Sequence, residues 1–216
     1  DGTVVVLLGE SQLHEIIVVD SSSEDDTREI AARHGARVIQ IPRAAFDHGG
    51  TRNLGAQDAT GNVLLFLTQD AVPEDDRLLA RFEDALKDPE VAGCYARQLP
   101  RSGANPTESL WRELNYPEEP RENGRKELAT DGVRALFFSN SCACVRRSAF
   151  QEVGGFPERT ICNEDMVMAW KLIQAGYRTA YVPEARVSHS HGYGLRTTFR
   201  RYFDTGVFFA ENPEIT

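Results

Sequence analysis

Apolar positions along this chain come in short unbroken runs rather than in strict alternation, at residues 3–8, 15–19 (E-I-I-V-V), 36–41 and 63–67. Unbroken runs of this length mark strands covered on both faces. Between them lie stretches with helical spacing, predicted at 24–33 with the serines at 21–23 as N-caps, at 51–57, and at 73–86 opened by Pro73. The β-α-β-α order predicts an α/β fold with a doubly wound, mostly parallel mixed sheet and helices on both faces. The link between the first two strands resists this scheme. It is six residues, 9–14, whereas a parallel crossover needs about a dozen. Either the two strands form a hairpin, or a stretch of chain is missing at this point, which is the preferred reading.

The pattern changes at 100–131, where Pro, Glu, Arg and Asn dominate around a short aromatic segment at Trp111 and Tyr116. This region reads as a loop-dominated insertion or acceptor-side lid. Beyond it, strands are predicted at 133–138 and 141–145, a helix from about Arg146, and a helix at 164–175 ended by Gly176. Short strands follow at 177–182 and 186–188, and an aromatic, basic, amphipathic helix at 195–209. One domain results: residues 1–99 as one half, 100–131 as the insertion, 132–194 as the second half, and 195–216 as the terminal helix.

Composition narrows the function. Lys and Arg number 24 against 33 Asp and Glu, so 24 − 33 gives a net charge of −9. That balance argues against nucleic-acid binding, which usually wants a basic footprint. No apolar run is long enough to span a bilayer, and no secretory signal pattern opens the chain. The four cysteines, Cys94, Cys142, Cys144 and Cys162, match neither a redox pair nor a zinc knuckle. They read as small buried hydrophobes in a cytoplasmic protein, with Cys142 and Cys144 on one strand face.

Five places carry candidate chemistry. Asp20 ends a strand and precedes S-S-S-E-D-D-T, so it either accepts hydrogen bonds from a nucleotide hydroxyl beyond the sheet edge or caps the next helix. Asp70, closing L-L-F-L-T-Q-D, suits a divalent cation that also binds phosphates, or is a turn aspartate. In N-E-D at 163–165, Glu164 and Asp165 are either partners of the helix dipole or a pair in which one orients an acceptor while the other takes its proton. His189 and His191 share a strand face in S-H-S-H and could meet a metal. Finally, Gly49 and Gly50 in F-D-H-G-G-T-R-N, placed before a helix, could turn amides and Arg52 toward a phosphate.

Taken in order, D-S-S-S-x-D-D-T, G-x-x-R-N-x-G, L-L-F-L-T-Q-D-A, V-G-G-F, N-E-D and G-Y-R-x-x-Y-V-P-x-A-x-V-x-H resemble the family 2 glycosyltransferases over nearly the whole chain. The T-Q-D-A-V-P and H-S-H variants are most similar to the bacterial rhamnosyltransferases. The resemblance implies a GT-A fold and inverting transfer of a sugar from a nucleoside-diphosphate donor (dTDP-, UDP- or GDP-linked) to a glycan or lipid-linked acceptor. It implies nucleotide contacts from Asp20, Ser22, Arg52, Gln69 and Asp70, with Asp165 as general base beside Glu164. It also implies Mg²⁺ or Mn²⁺ held by Asp70 with His189 or His191. One departure is plain: Thr68 stands where the family's D-x-D has its first acid. The length then fits the catalytic core of a longer enzyme. A sugar-nucleotide pyrophosphorylase and a non-catalytic nucleotide-binding homologue are the alternatives. The terminal helix, with Arg196, Arg200 and Arg201 among Phe199, Tyr202 and Phe203, either packs on the domain or a homodimer partner, the preferred reading, or lies against an anionic membrane surface.

Overall fold

The computed structural model describes residues 2–9 and 12–215, with side chains from residue 15 onward. Among the described residues nine strands form one sheet: β1 (Gly2–Gly9), β2 (Gln12–Asp20), β3 (Arg37–Gln40), β4 (Val63–Thr68), β5 (Val72–Pro73), β6 (Val91–Leu99), β7 (Arg121–Asn123), β8 (Cys142–Arg146) and β9 (Arg178–Ser188). The α-helices are α1 (Thr27–Arg33), α2 (His48–Gln57), α3 (Leu78–Ala85), α4 (Pro106–Asn115), α5 (Arg125–Asp131), α6 (Arg147–Glu152), α7 (Glu164–Gln174) and α8 (Leu195–Glu211).

The strand order is β3-β2-β1-β4-β8-β6-β9-β5, with β7 also paired to β9. Only β2–β3 and β6–β9 are parallel neighbours among the described pairs. The α/β class with a mixed sheet holds, and the mostly parallel part of the expectation is corrected. Its physical origin is the intercalation of reversed strands. β1 runs antiparallel to both β2 and β4, and β8 to both β4 and β6. As a result β2, β3, β4, β6 and β9 all point the same way. Their carboxyl ends gather on one edge, where α/β sheets present ligand sites.

Of the two readings of the short first link, the structure has the hairpin, with Gly9 facing Gln12. The intervening Glu10 and Ser11 lie outside the described residues. Several boundaries also move. The helix expected at 24–33 starts at Thr27, behind Asp26 rather than the serines. The helix expected from Pro73 starts at Leu78, because Val72 and Pro73 pair with β9 instead. The strand expected at 133–138 is a 3-10 helix, Gly132–Leu136, burying Ala135 and Leu136. The insertion at 100–131 is not loop-dominated, since it carries α4, β7 and α5. β6 was missed altogether and sits near the middle of the sheet, buried along nearly its whole length.

Both sheet faces are covered. Alternate residues divide β4 and β8: Leu64, Phe66, Ala143 and Val145 pack with Phe150, Met168 and Leu172 of α6 and α7. Leu65, Cys142 and Cys144 pack on the other face with Leu78 and Phe82 of α3. All four cysteines are free, and the two of β8 share a face as expected. Burial of these side chains is the main stabilising term for such a sheet.

Candidate active site

Chain ends at the shared sheet edge supply the polar groups. Asp70 follows β4 in the turn 69–70, and His189 and His191 follow β9. His189 Nε2 lies 3.2 Å from Asp70 Oδ1, and His191 Nδ1 lies 3.5 Å from Asp70 Oδ2. Ligand atoms of all three residues fall within 4.8 Å of one another. His191 is stacked on Tyr193, centroids 4.7 Å apart, and its backbone N–H donates to Glu108 Oε1 at 2.6 Å. Arg101 donates to the Asp70 carbonyl, fixing the turn. Burial alone would raise the Asp70 carboxyl. Its polar contacts with His189 and Thr68, with the electrostatic pull of His191, outweigh burial and hold the carboxyl well below the usual carboxylate range. Burial pushes the His191 ring down, and His189 beside it adds to the effect.

The cluster fits a divalent cation. His189 is 3% exposed, yet its Nε2 has no aligned hydrogen-bond partner despite the nearby carboxylate. A buried ring nitrogen left unpaired costs free energy in a closed fold, and a cation between it and Asp70 would use both lone pairs. One carboxylate and two imidazoles form a recognised donor set for divalent metals.

The acid pair at the start of α7 divides sharply. Glu164 is buried and accepts from Arg52 Nη1 at 2.8 Å. Asp165 is half-buried and accepts from the Asn140 N–H at 3.3 Å and the Met166 N–H at 2.9 Å. Burial, and then the neighbouring Glu164 charge, push its carboxyl up to about 7. A carboxyl so raised is poised to exchange a proton near neutrality. Asn163, just before it, is held at φ 59°.

Arg52 therefore does not reach toward a phosphate: it is 4% exposed and committed to Glu164 and to the His48 carbonyl. Gly49 and Gly50 are likewise not a phosphate loop before the helix. They lie inside α2, where the Asp47 side chain already takes the Gly50 N–H at 2.6 Å. The block ties α2 to the segment preceding α7. A side chain at Gly49 would meet the Pro157 carbonyl oxygen at 1.8 Å. Asn53 bonds both the N–H and the carbonyl of Phe156, and Asp47 Oδ1 accepts from the Arg159 N–H.

Asp20, at the end of β2, is fully buried and accepts from the Ser23 N–H at 3.2 Å through each carboxylate oxygen. Ser22, at φ 62°, donates its hydroxyl to the Ile41 carbonyl. Gln69 is exposed on the turn before Asp70. Sequence reasoning missed Gln98 on β6, Arg112 on α4 and the 139–140 segment before β8. Gln98 Nε2 donates to Ser139 Oγ at 2.6 Å, and the next residue, Asn140, donates its N–H to Asp165. Two consecutive residues thus join the histidine cluster to the raised acid. The Asn140 side-chain amide, 2% exposed, has no partner at either end. The unbroken small and apolar run V-A-G-C-Y-A was the signal that could have placed β6 and Gln98.

Comparison with known proteins follows the same lines. The sequence profile of Glycosyl transferase family 2 matches residues 5–154. The O-antigen chain rhamnosyltransferase WbaN of Salmonella anatum is 46% identical over 206 residues, covering 95% of this chain and 65% of that protein. RfbN of Salmonella typhimurium, also an O-antigen chain rhamnosyltransferase, is 44% identical over 203 residues, covering 93% and 65%. The chain therefore spans about 65% of the length of these curated relatives. Among solved structures, the mannosyltransferase PcManGT of Pyrobaculum calidifontis, in complex with GDP-Man and Mn²⁺, superposes with a TM-score of 0.62 at 20% identity. The match covers 93% of this chain and 55% of that one. Residues 1–349 of S. aureus TarS with UDP-GlcNAc give 0.64 at 18% identity, covering 85% and 51%. These two likenesses show the fold, which is GT-A.

Proposed function

Because the chain belongs to glycosyl transferase family 2, we propose that it transfers a sugar, with inversion, from a nucleoside-diphosphate donor to a hydroxyl of a glycan or lipid-linked glycan. The observation that carries this reading is the placement of Asp165 and the Asp70–His189–His191 cluster on one sheet edge, joined through Ser139 and Asn140. Similarity to the two O-antigen rhamnosyltransferases supports dTDP-rhamnose as donor and a surface polysaccharide as product.

In the proposed reaction the acceptor oxygen attacks the anomeric carbon, and the bond from that carbon to the diphosphate oxygen breaks. The nucleoside diphosphate leaves with the bonding electrons. Asp165, in its ionised form, takes the acceptor's proton. Arg52 beneath Glu164 holds the start of α7 so that Asp165 faces the site. Ser22 and Gln69 remain the proposed nucleotide contacts at the neighbouring strand ends, and the buried Asp20 would act there by holding the Ser22–Ser23 turn. Asp70, His189 and His191 would hold the divalent cation, which when bound supplies positive charge against the diphosphate. With two nitrogen donors to one carboxylate, the set favours Mn²⁺ over Mg²⁺, which prefers oxygen ligands.

No helix among the described residues is long and apolar enough to cross a membrane. On α8, Leu195, Phe199, Tyr202 and Phe203 are exposed beside Arg196, Arg200 and Arg201. The exposed rings are not packed on the domain, and because apolar rings interleaved with cations complement an anionic bilayer surface we propose peripheral membrane contact for that face, with a homodimer contact as the alternative.

A thermal-shift screen of nucleotide sugars with Mn²⁺ tests the donor. Stabilisation by dTDP-rhamnose above UDP- and GDP-sugars supports the reading, and preference for another donor overturns the rhamnose assignment. Pyrophosphate release from a sugar phosphate and a nucleoside triphosphate would point instead to the pyrophosphorylase alternative.

A further inference from the structure

We propose that Arg112 and Gln98 are positioning residues that fix His189 in its Nδ1–H tautomer and so keep its Nε2 lone pair turned toward the cation site. The inference rests on the reading of Asp70, His189 and His191 as that site.

The chain of constraint begins at Arg112, on α4. A guanidinium only donates hydrogen bonds, and Arg112 Nη1 bonds the Gln98 side chain. The atom it meets must therefore be the amide oxygen, which places the Gln98 NH₂ group on Ser139 Oγ at 2.6 Å. Either end of an amide side chain fits the same outline, and only such a partner decides between them. An amide oxygen only accepts. His189 Nδ1 lies 2.8 Å from it and must carry a proton. In the neutral ring the other nitrogen, Nε2, is then bare, and it faces Asp70.

Two contacts pull the other way. The Asp70 carboxylate lies 3.2 Å from Nε2 and would favour a proton there, but it is out of line for a hydrogen bond. Arg112 Nη2 lies 3.4 Å from Nδ1 and as a donor would favour a bare nitrogen there. That contact is long and weak for a hydrogen bond, whereas 2.8 Å is near the centre of the range. The shorter contact decides. The relay is also dry: Gln98, Arg112 and His189 are 2%, 6% and 3% exposed. Water therefore cannot easily substitute for a lost partner. Arg112 is itself seated against Trp111 and Tyr116, its guanidinium carbon 5.1 and 5.9 Å from their centroids. In this way the 100–131 region acts on the site as a fixed wall. A hydrogen-bonded second nitrogen is how metal-binding histidines are generally oriented, and loss of such a partner weakens metal affinity by about 10–100-fold.

Two readouts on the full chain test the proposal. Long-range ¹H–¹⁵N spectra of the metal-free protein at pH 8, with His189 assigned by loss of its signal in His189→Gln, report the tautomer directly. We expect protonated Nδ1 and bare Nε2 in the wild type. Mn²⁺ binding followed by electron paramagnetic resonance should weaken tenfold or more in Gln98→Met. It should recover in Gln98→Glu, which keeps an acceptor for Nδ1–H. Thermal melts confirm that each variant is folded. A wild-type ring protonated at Nε2, or a folded Gln98→Met with unchanged Mn²⁺ affinity, overturns the relay. A wild type that binds no Mn²⁺ while His189 holds the Nδ1–H tautomer sinks the cation site itself, and with it the purpose of the relay.

Discussion

Arg52 and Glu164, 112 residues apart in sequence, meet as a buried ion pair with Nη1 2.8 Å from Oε1. Breaking such a pair leaves one charge buried and uncompensated. Arg52→Met should therefore destabilise the fold by about 3–5 kcal/mol. Replacing both partners removes the stranded charge, so Arg52→Met with Glu164→Leu should recover most of that loss. Urea denaturation of the two variants checks this. Equal stability of single and double variants would show that the pair does not hold α2 to α7.

Asp165 links pH to both turnover and stability. Its carboxyl is raised to about 7, so below that pH the base is mostly protonated, and kcat/KM should rise as pH passes through about 7. The sign for stability is opposite. The fold favours the protonated form, so this contribution is fully present below the ordinary carboxyl range near 4. It is lost as pH climbs through about 7. Asp165→Asn retains an acceptor for the Asn140 N–H and carries no charge. It should lose activity by about 10²–10⁴-fold while melting above the wild type at pH 8. A variant that melts below the wild type at that pH would contradict the burial cost assigned to the ionised form.

Metal dependence should follow the donor atoms. Chelation should abolish transfer, and Mn²⁺ should restore it better than Mg²⁺ at equal concentration. Asp70→Ala removes the only carboxylate of the cluster and should prevent restoration by either ion. Isothermal titration with Mn²⁺ separates a lost site from a lost fold, since only the former leaves the melting profile intact.

Adjacent glycines make opposite predictions. A methyl at Gly49 meets the Pro157 backbone at 1.8 Å, whereas at Gly50 the nearest atom is Asp47 Oδ2 at 3.0 Å, which needs to give by only a few tenths of an ångström. Gly49→Ala should cost roughly 1–3 kcal/mol as an overpacking change and lower turnover through α7. Gly50→Ala should be distinctly milder. Comparable melting temperatures for the two would mean that α2 can retreat from Pro157 freely.

For α8, vesicle sedimentation provides the check. Binding to vesicles containing phosphatidylserine should exceed binding to neutral ones and fade with salt. Arg200→Glu combined with Phe199→Ser should abolish it. Indifference to lipid charge, or a dimer that buries Phe199 and Phe203, would remove the membrane reading.

By itself the sequence determined the α/β class, the order of most elements and the residues at the strand ends. T-Q-D, N-E-D and H-S-H are local patterns, read from neighbours in the chain, and unbroken apolar runs report two-sided burial directly. What Arg52 does was not local. Beside two glycines it resembled a phosphate contact, and only the approach of α2 to the segment before α7 turned it inward to Glu164. Gln98 and Arg112 were hidden for the same reason: their meaning depends on β6 lying parallel to β9, which brings Gln98 opposite Val187, two residues before His189. Strand direction likewise escaped the pattern, because burial on both faces makes parallel and antiparallel neighbours look alike in sequence. Tertiary structure decided which charges are paired and which remain open, since pairing a buried charge depends on contacts made far along the chain.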